Sequence, residues 1–577
     1  MSQRALLALA AVAVALAAAD TYVVVLALPD MMTSVGLAVD QLQRAAPIVS
    51  GFLLGYVAML PLVGRVADLR GRVPVLVAAL LLFAFGSLVT AVSYDLPSLV
   101  GGRFLQGLGG GGLVPATLAL VADLYPPERR GVPLGVVGAV QELGSVLGPL
   151  YGALVLAVAP WEGIFVVNLV AALLLAALLN SAEGSRPRGF SRRVGEDVTP
   201  RRDWPGGALL VLALVAMVLT MLAPTALTSD VTLGLGFVPV VGDSRWLAPV
   251  GVATVVLAAA LLVRCLTASR PLVDLRRWTE VLRRADLLGA TLLAAALAGV
   301  VLAFATADPQ VSVFSPVGPW LLAASALFLL LFWWHARRAR HPLVPPRALA
   351  ASAAWGALLV SFFVGASLIA ALVDIPIFAR VTVYPDSQLD AALVLVRMLV
   401  ALPVGALAGG YALRRLPPGA VAAFGMLLAA GGFGWMTTWG LTSLSAPVAT
   451  VPLAGTGLGF GLALAPVNAA LLSATDAATH GVTSALLVVA RMVGMLVGIS
   501  ALSTIGLRRF YAVQGDLPAP GDVCSSGTQC TAYTNLLKEA GLTQLHTVFM
   551  GAAGCAVAAA ILALLLLRPS AAPSTAR

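Results

Sequence analysis

Long apolar stretches separated by short polar loops dominate the pattern of hydrophobic and polar positions along the chain. A helix that crosses a bilayer needs about 20 predominantly apolar residues. Sixteen stretches approach or exceed this length: 5–28, 45–66, 73–93, 99–121, 131–158, 162–180, 205–223, 246–266, 286–306, 318–335, 352–378, 388–411, 418–439, 449–473, 482–505 and 545–568. They are rich in Ala, Leu and Val and do not alternate with polar residues, which predicts helices rather than barrel strands. The weakest is 286–306, since an interfacial hairpin over 286–335 would leave fourteen spans.

The composition supports this interpretation. Of the 577 residues, 60% are hydrophobic and 11% are charged, which is more apolar surface than a soluble chain of this size can bury. The start, with Arg4 before an Ala-rich run, resembles a secretory signal peptide, but the apolar stretch continues to Pro29 and so favours a spanning helix. The sequence therefore predicts an all-α integral membrane protein.

Basic residues lie mainly in alternate loops, which sets the expected orientation. With the N-terminus inside, most of the 35 Lys and Arg residues fall on inner loops and few on outer loops. This predicts a multi-pass membrane protein with both termini cytoplasmic, for sixteen or fourteen spans alike. Orientation accounts for the net charge of +9, and the basic loops contain no nucleic-acid-binding module.

The stretches fall into two sets of six with four between them. We expect an N-terminal six-helix bundle at 1–180, a cytoplasmic linker at 181–204, four inserted segments forming two hairpins at 205–335, a C-terminal six-helix bundle at 348–568 and a tail at 569–577. Paired halves with a site at their interface are a common transporter plan.

The longest outer loop, 506–544, holds Cys524 and Cys530. A disulfide suits an oxidising exterior, with two free thiols as the alternative, and no second Cys or His pair is present for a metal site. From Thr531 the sequence has helix-like spacing of leucines into the last apolar stretch. We therefore expect an extension over about 506–545 that projects roughly 20 Å beyond the bilayer.

Six charged side chains fall inside the apolar stretches: Asp20, Glu142, Asp374, Arg103, Arg397 and Arg491. A charge in this setting is costly unless it pairs or faces water, so each is a functional candidate, with a structural ion pair as the alternative. The surroundings of Asp20 disfavour the charged carboxylate, and we expect it to carry a proton near neutral pH. Asp374 lies close to the outer end of its stretch and is, like Arg103 and Arg397, a secondary candidate.

Arg491 lies in the middle of a second-half stretch and needs a counter-ion. Asp20 or Glu142, across a central cleft, is the expected partner. The pair would form when the acid is deprotonated and loosen when it is protonated, which predicts a proton-controlled latch between the two halves. Arg397 is a second candidate for the basic partner.

Three motifs follow one another in the first half. GRVADLRGRVPVL contains Gly64, Asp68, Gly71 and Arg72; GGRFLQGLGGGGLVPA contains Arg103, Gln106 and Gly107; GSVLGPLYG contains Gly144, Gly148, Pro149 and Gly152. They resemble the loop signature, the fourth-helix signature and the fifth-helix antiporter signature of the major facilitator superfamily. In the first motif Asp68 can cap a neighbouring helix while Arg72 reaches an acid, which would form a cytoplasmic latch. The matching second-half loop, with Gly409, Gly410, Arg414 and Arg415, has no acid.

DTYVVVLALPD, QELGSVLGPLYG, LVDIPIF and HGVTSALLVVARMVGMLVG also resemble stretches in the fourteen-helix drug:proton antiporter branch, in particular the mycobacterial triacylglyceride exporters. That resemblance implies proton-coupled export of a large lipid from a bacterial inner membrane by a monomer without cofactors, helped by a lipid-carrying lipoprotein outside. It also implies that Asp20, Glu142 and Arg491 are the proton-coupling positions.

Two other functions stay open at this point. One is proton-driven efflux of small amphipathic drugs by the same scaffold. The other is an integral membrane enzyme, which the four scattered histidines and the lack of a catalytic motif disfavour. The outer extension favours lipid over drug, because a lipid must be handed across a watery space.

Overall fold

The computed structural model describes residues 2–37, 42–184, 203–269, 271–305, 315–345, 348–385, 387–519, 523–524 and 530–567. Regular structure in this part of the chain is entirely helical. The expected linker at 181–204 lies largely outside the described residues, as does the tail at 569–577.

Eighteen α-helices are described, of which sixteen are long and apolar enough to cross a membrane. The first six are α1 (Gln3–Ser34), α2 (Leu42–Arg70), α3 (Arg72–Ala91), α4 (Leu96–Leu124), α5 (Gly131–Val158) and α6 (Glu162–Gly184). The inserted region holds α7 (Trp204–Leu222), the short α8 (Thr225–Thr228), α9 (Pro249–Thr267), the polar α10 (Leu275–Arg284), α11 (Leu287–Ala305) and α12 (Gly318–Arg338). The last six are α13 (Ser352–Thr382), α14 (Gln388–Ala412), α15 (Pro418–Met436), α16 (Thr450–Ser473), α17 (His480–Gly515) and α18 (Thr531–Leu566).

The prediction of sixteen helices of spanning length is confirmed, whereas the length and hydropathy of these helices give no support to the fourteen-span alternative. Both α11 and α12 have the length and hydropathy of spanning helices, so the weakest predicted stretch is a helix of its own rather than part of an interfacial hairpin. Only α8 and α10 among the described α-helices fail this test, because both are too short and α10 is also strongly polar.

The molecule has two ends, which we name by their loops. The basic face is the end that holds the turns 125–130, 413–417 and 474–479. The opposite face holds the loops 92–95, 383–387 and 437–449.

Glycines let the helices of each half approach to backbone contact. In the first half, a Cβ added to Gly107 of α4 would lie 2.1 Å from the carbonyl oxygen of Phe52 on α2. A Cβ on Gly86 of α3 would lie 2.2 Å from the amide nitrogen of Gln106 on α4. In the second half, a Cβ added to Gly457 of α16 would lie 2.0 Å from the carbonyl oxygen of Met398 on α14. Helices gain little from the hydrophobic effect when they associate in lipid, so close van der Waals packing at such small residues stabilises their contacts instead.

The inserted helices form two hairpins, α7 with α9 and α11 with α12. The first is joined by a contact of 3.2 Å between the hydroxyls of Thr220 and Thr254, and by an ion pair of 2.6 Å between Asp203 and Arg264. Between the hairpins, α10 lies at the basic face, where the guanidinium of Arg70 stacks 5.3 Å above the ring of Trp278.

Helices α17 and α18 are the longest, at 36 residues each. At 1.5 Å per residue each is about 54 Å long, against about 30 Å for the apolar core of a bilayer. Helix α18 is unbroken across 531–545, where the sequence predicts an extension. The sulfur atoms of Cys524 and Cys530, in the loop between these helices, are bonded to each other.

Candidate functional site

A buried polar network in the first half surrounds Asp20. Its Oδ2 accepts a bond of 2.6 Å from Nη1 of Arg103, and its Oδ1 accepts bonds of 2.9 Å from Gln106 and 2.6 Å from Asn168. Gln106 also donates to the hydroxyl of Ser87 at 3.0 Å. All of these side chains are at most 1% exposed, so the charge pair is held entirely inside protein.

Close packing of α5 against α1 positions this network. The glycines of the fifth-helix motif bring α5 onto α1, since a Cβ on Gly144 would lie 2.4 Å from Ala15 and one on Gly148 would lie 2.5 Å from Ala19. Gly152 continues the contact against Val23. The side chain of Pro149 lies outside the described residues. These glycines therefore hold α5 against α1 at Ala19, the residue directly before Asp20.

This arrangement corrects one expectation about Asp20. Its described contacts are with α4 and α6 of its own half, and it does not line the central cleft. In this conformation Asp20 is thus not the partner of Arg491, because Arg103 on the neighbouring α4 already neutralises it.

Glu142 and Arg491 lie on opposite sides of the boundary between the two halves. Glu142 on α5 is partly buried and interacts electrostatically with Arg491 on α17. Arg491 also interacts electrostatically with Tyr56 on α2. Among the described residues no hydrogen bond or ion pair joins Glu142 to Arg491, so the two side chains interact through their charges and not by direct contact.

An apolar cavity lies beside this pair, between the halves. Helices α4 and α5 contribute one wall and helices α13, α16 and α17 the other. Its lining is mostly aliphatic, including Val114, Leu118, Val364 and Leu487, and Arg491 is the charged side chain that lines it. Its volume is about 30 Å³, which is room for one or two water molecules, so in this conformation the two halves nearly meet here around a mostly aliphatic lining.

The halves meet at the basic face through the loop motif. A Cβ on Gly64 would lie 2.5 Å from the carbonyl oxygen of Gly481, so α2 and α17 touch through backbone. The carboxylate of Asp68 accepts bonds from the backbone N–H groups of Gly481 at 2.9 Å and Val482 at 3.3 Å. These donors are the unpaired groups of the first turn of α17, where a negative charge is favourable. Asp68 on α2 is thus the cap of a helix in the other half.

Arg72 holds Asp68 in place. It pairs with Asp68 one turn away and donates from Nε to Asp123 of α4 at 3.1 Å. Gly71 has φ +99°, a conformation that a side chain disfavours, and this turn lets α3 begin directly after α2.

A second backbone contact closes the same face between α5 and α14. A Cβ on Gly131 would lie 2.7 Å from the carbonyl oxygen of Gly410, and one on Gly135 would lie 2.6 Å from that of Ala406. The second-half loop therefore contributes Gly410 to the closure although it has no acid. We call the contacts of α2 with α17 and of α5 with α14 the basic-face gate.

The two remaining second-half candidates lie away from the cleft pair. Arg397 donates from Nη1 to Thr450 at 3.5 Å, at the opposite-face start of α16, which corrects its proposed role as the latch base. Asp374 is 4% exposed within the apolar core of the second half, so it is not an exposed helix-end acid as its position suggests. The structure describes no hydrogen bond of its carboxyl group.

Sequence reasoning missed the neutral members of the Asp20 network, Asn168 and Ser87. It considered only charged side chains inside the apolar stretches. An amide in the middle of the stretch 162–180 was the available signal, because a buried amide in a membrane helix needs a partner.

Two helical halves around a cleft, joined by a gate at one face and holding opposed charges between them, define a membrane transporter. The chain belongs to the major facilitator superfamily, since the family model described as Major Facilitator Superfamily matches residues 10–317.

Curated relatives are similar over most of the chain. A triacylglyceride transporter of Mycobacteroides abscessus is 35% identical over 509 residues, which is 86% of this chain and 81% of that protein. A triacylglyceride transporter of Mycobacterium tuberculosis is 33% identical, covering 90% of this chain and 85% of its own. A probable triacylglyceride transporter of Mycobacterium leprae is 31% identical, covering 98% and 96%.

Solved structures agree on the fold. The human organic anion transporter MFSD10 gives a TM-score of 0.51 at 16% identity, covering 98% of this chain and 100% of its own. The proton:xylose symporter XylE gives 0.50 at 13% identity, covering 95% of each chain.

Proposed function

We propose that this protein exports triacylglyceride-like lipids from the inner membrane by proton-coupled alternating access, with the basic face in the cytoplasm. The observation that carries the proposal is the pair of opposed, unjoined charges of Glu142 and Arg491 beside an apolar cavity, in a conformation whose basic-face gate is closed. The names of the curated relatives support the choice of lipid.

Protonation of Glu142 controls the attraction across the cleft. An ionised Glu142 draws Arg491 and holds the halves together near the middle of the cleft, whereas a protonated Glu142 leaves the halves free to separate there. At a distance of about 4 Å and an effective dielectric constant near 20, such a pair is worth about 4 kcal/mol. That energy shifts a two-state equilibrium by roughly a thousandfold, which is enough to couple a proton to the access state.

Asp20 is a second acid in the proposed proton coupling. Protonation of its carboxyl would weaken the bond to Arg103 and free a positive charge one helix away from α5. Asp20 is therefore the internal acid of the coupling scheme and Glu142 the acid in the cleft.

The long helices supply the delivery path. Helices α17 and α18 exceed the bilayer core by about 24 Å each, and a lipid needs a surface on which to cross the watery space beyond the membrane. A lipid-carrying lipoprotein would meet the cargo at these extensions. A small amphipathic drug has no need of them.

The test is transfer of a fluorescent triacylglyceride out of proteoliposomes under an imposed pH gradient. Glu142→Gln is expected to abolish the dependence on the gradient and lower transfer at least tenfold. Asp390→Asn is the matched control, because Asp390 is an exposed acid in the first turn of α14. Gradient-driven transfer at the wild-type rate by Glu142→Gln would refute the coupling. Efflux of amphipathic dyes without any triacylglyceride transfer would replace lipid by drug as the cargo.

A further inference from the structure

The first inserted hairpin, α7 with α9, stands apart from the first half of the protein. Among the described residues, neither α7 nor α9 makes an extensive contact with any of the helices α1 to α6. The hairpin touches the first half near the opposite face, where Met217 and Met221 of α7 pack against Val92. A small cluster of side chains, rather than helix packing along the whole length, therefore joins the hairpin to the first half.

A fissure of about 670 Å³ lies between α7 and the helices α3 and α4. This volume is within the range of roughly 300–1,000 Å³ that is usual for small-ligand sites. The walls are mostly apolar and include Phe85 and Val89 of α3, Phe104 and Leu105 of α4 and Met217 of α7. Phe85 is 38% exposed, so this wall is open to the bilayer. The fissure is therefore suited to an acyl chain.

The fissure lies in the leaflet at the opposite face. Helix α7 has 19 residues and is about 28 Å long, close to the roughly 30 Å of the apolar core, so Met221 in its last turn marks the boundary of that core. Phe85 is six residues, or about 9 Å, from the end of α3 at this face. The polar lining, which includes Tyr94 and Ser98, belongs to the loop and the start of α4 at the same face. An acyl chain in the fissure would thus have its headgroup at this polar end.

Arg245 stands at the polar end of the fissure. Its guanidinium lies 4.4 Å from the ring centre of Tyr94 and donates from Nη1 to the carbonyl oxygen of Met221 at 2.7 Å. In the described part of the chain no carboxylate pairs with Arg245, and its other N–H donors have no acceptor. Asp95, which lines the fissure, instead accepts from the backbone N–H of Ser98 at 2.9 Å and caps α4. A guanidinium with free donors at the level of the headgroups is a favourable partner for a phosphate.

The loop that carries Arg245 has the surface of a segment that lies in the membrane interface. Four aliphatic side chains of this loop are each more than two thirds exposed: Val231, Leu235, Val240 and Val241. Asp230 accepts hydrogen bonds from within its own turn, including one of 2.9 Å from the backbone N–H of Leu233. The exposed apolar surface continues the lipid-facing surface of α7 and α9, where Leu222 and Val252 are exposed. This continuity places the loop, and the mouth of the fissure, against the leaflet rather than in open water.

We propose that the fissure between the α7–α9 hairpin and the first half binds one phospholipid of the leaflet at the opposite face, with an acyl chain along α3 and α4 and the phosphate at Arg245. The lipid fills the space between the helices and so takes the place of direct contact between the hairpin and the first half. This inference does not rest on the proposed cargo, because a triacylglyceride has no phosphate for Arg245 to bind.

The test is native mass spectrometry of the full-length protein in detergent, with dioleoylphosphatidylglycerol or dioleoylglycerol added at equal concentration. The parent is expected to retain one phosphatidylglycerol at collision energies that remove further lipids. Because a hydrogen bond to a charged group contributes about 1.5–3 kcal/mol, it should retain roughly tenfold less dioleoylglycerol.

Gly101→Phe blocks the fissure from the wall of α4. Gly101 lines the fissure, and an added Cβ there meets nothing within 4 Å, so the ring can occupy the space of the lipid without displacing a helix. Retention of phosphatidylglycerol is expected to fall by roughly fivefold or more. Gly207→Phe on α7, which is equally free of neighbours and does not line the fissure, is the matched control. Equal retention by the two variants would overturn the site.

A fissure filled after folding separates this effect from misfolding. The free cysteines Cys265 and Cys555 are replaced by alanine, and Gly101→Cys is added as a small side chain. Reaction of the purified protein with N-benzylmaleimide is expected to remove the retained phosphatidylglycerol. Unchanged retention after complete reaction would equally overturn the site.

Substitutions of Arg245 test the phosphate contact. Arg245→Gln keeps a donor for the carbonyl of Met221 but removes the charge, and should reduce retention of phosphatidylglycerol to that of dioleoylglycerol. Arg245→Lys keeps the charge and should preserve most of the retention. Retention of phosphatidylglycerol by Arg245→Gln at the parent's level, or a parent that retains both lipids equally, would overturn the phospholipid as the ligand.

Discussion

Gly481→Ala is expected to open the basic-face gate. The added Cβ would lie 2.2 Å from the carbonyl oxygen of Gly64 and 2.8 Å from Oδ1 of Asp68. Both Gly64 and Asp68 lie on α2, and the nearest atom belongs to the backbone, which cannot turn aside. An ordinary contact at this point needs about 3.4 Å or more. The two helices must therefore separate by roughly 1 Å.

The energetic cost follows from the bonds that this separation breaks. Asp68 accepts two backbone bonds at the start of α17, at 2.9 and 3.3 Å. Hydrogen bonds to charged groups contribute about 1.5–3 kcal/mol each, and the longer bond contributes less than the shorter one. We take about 3 kcal/mol for the sum, which lowers the population of the closed gate by roughly a hundredfold.

The distance between two spin labels across the gate measures this population. Arg129 and Arg414 are exposed at the basic face, one in each half, and both line the groove there. In the parent protein labels at Arg129→Cys and Arg414→Cys are expected to give one short distance, and Gly481→Ala is expected to add a longer one as the main population.

Gly434→Ala is the matched control, because an added Cβ there meets nothing within 4 Å. It should leave the distance distribution unchanged. A distribution for Gly481→Ala that is identical to the parent's would refute the argument that backbone contact and the Asp68 cap hold the gate closed.

Two further predictions concern stability. Asp20→Asn leaves Arg103 buried without its counter-charge and should destabilise the protein by about 3–5 kcal/mol in a thermal unfolding assay. Asp30→Asn, at an exposed acid on the same helix, should not destabilise it. Equal melting temperatures for the two variants would contradict the buried pair. The hydrogen bonds of Asp203 to Arg264 and to backbone hold the pKa of this carboxyl below its ordinary value, so its contribution is present above a pH of about 4 and is lost as the pH falls through the lower folded-state pKa. Hydrogen exchange at the start of α7, corrected for intrinsic rates, should rise in that acid range in the parent and lose this dependence in Asp203→Asn.

The spanning helices follow from the sequence because each needs only its own residues to satisfy the backbone in lipid. This is why α11, the weakest predicted stretch, is still a helix of spanning length. The start of α18 at Thr531 follows from the helix-like spacing of its leucines. Such features are local, and a single stretch of sequence contains the information for them.

The choice of charge partners depends on neighbours and depth, which the sequence does not state directly. Glu142 lies eleven residues into α5 and Arg491 eleven residues into α17, so both are about 16 Å from the basic-face end of their helices. Asp20 is 17 residues from that end of α1 and Arg103 is 21 residues from that end of α4, or about 26 and 32 Å. Depth therefore separates the two pairs, but the assignment of Asp20 to Arg103 also needs the packing of α1 on α4.

The glycine contacts of the basic-face gate bear on how quickly the transporter can turn over. A gate closed by interlocking leucines would freeze several rotamers at each closure, at about 0.5–1 kcal/mol for each side chain. Gly64, Gly481, Gly131 and Gly410 have no rotamers to freeze, so each closure of the basic face carries almost no entropic penalty from these side chains. The strength of the contact between α2 and α17 then depends largely on one carboxylate, so the rate of opening there should respond to substitutions around Asp68.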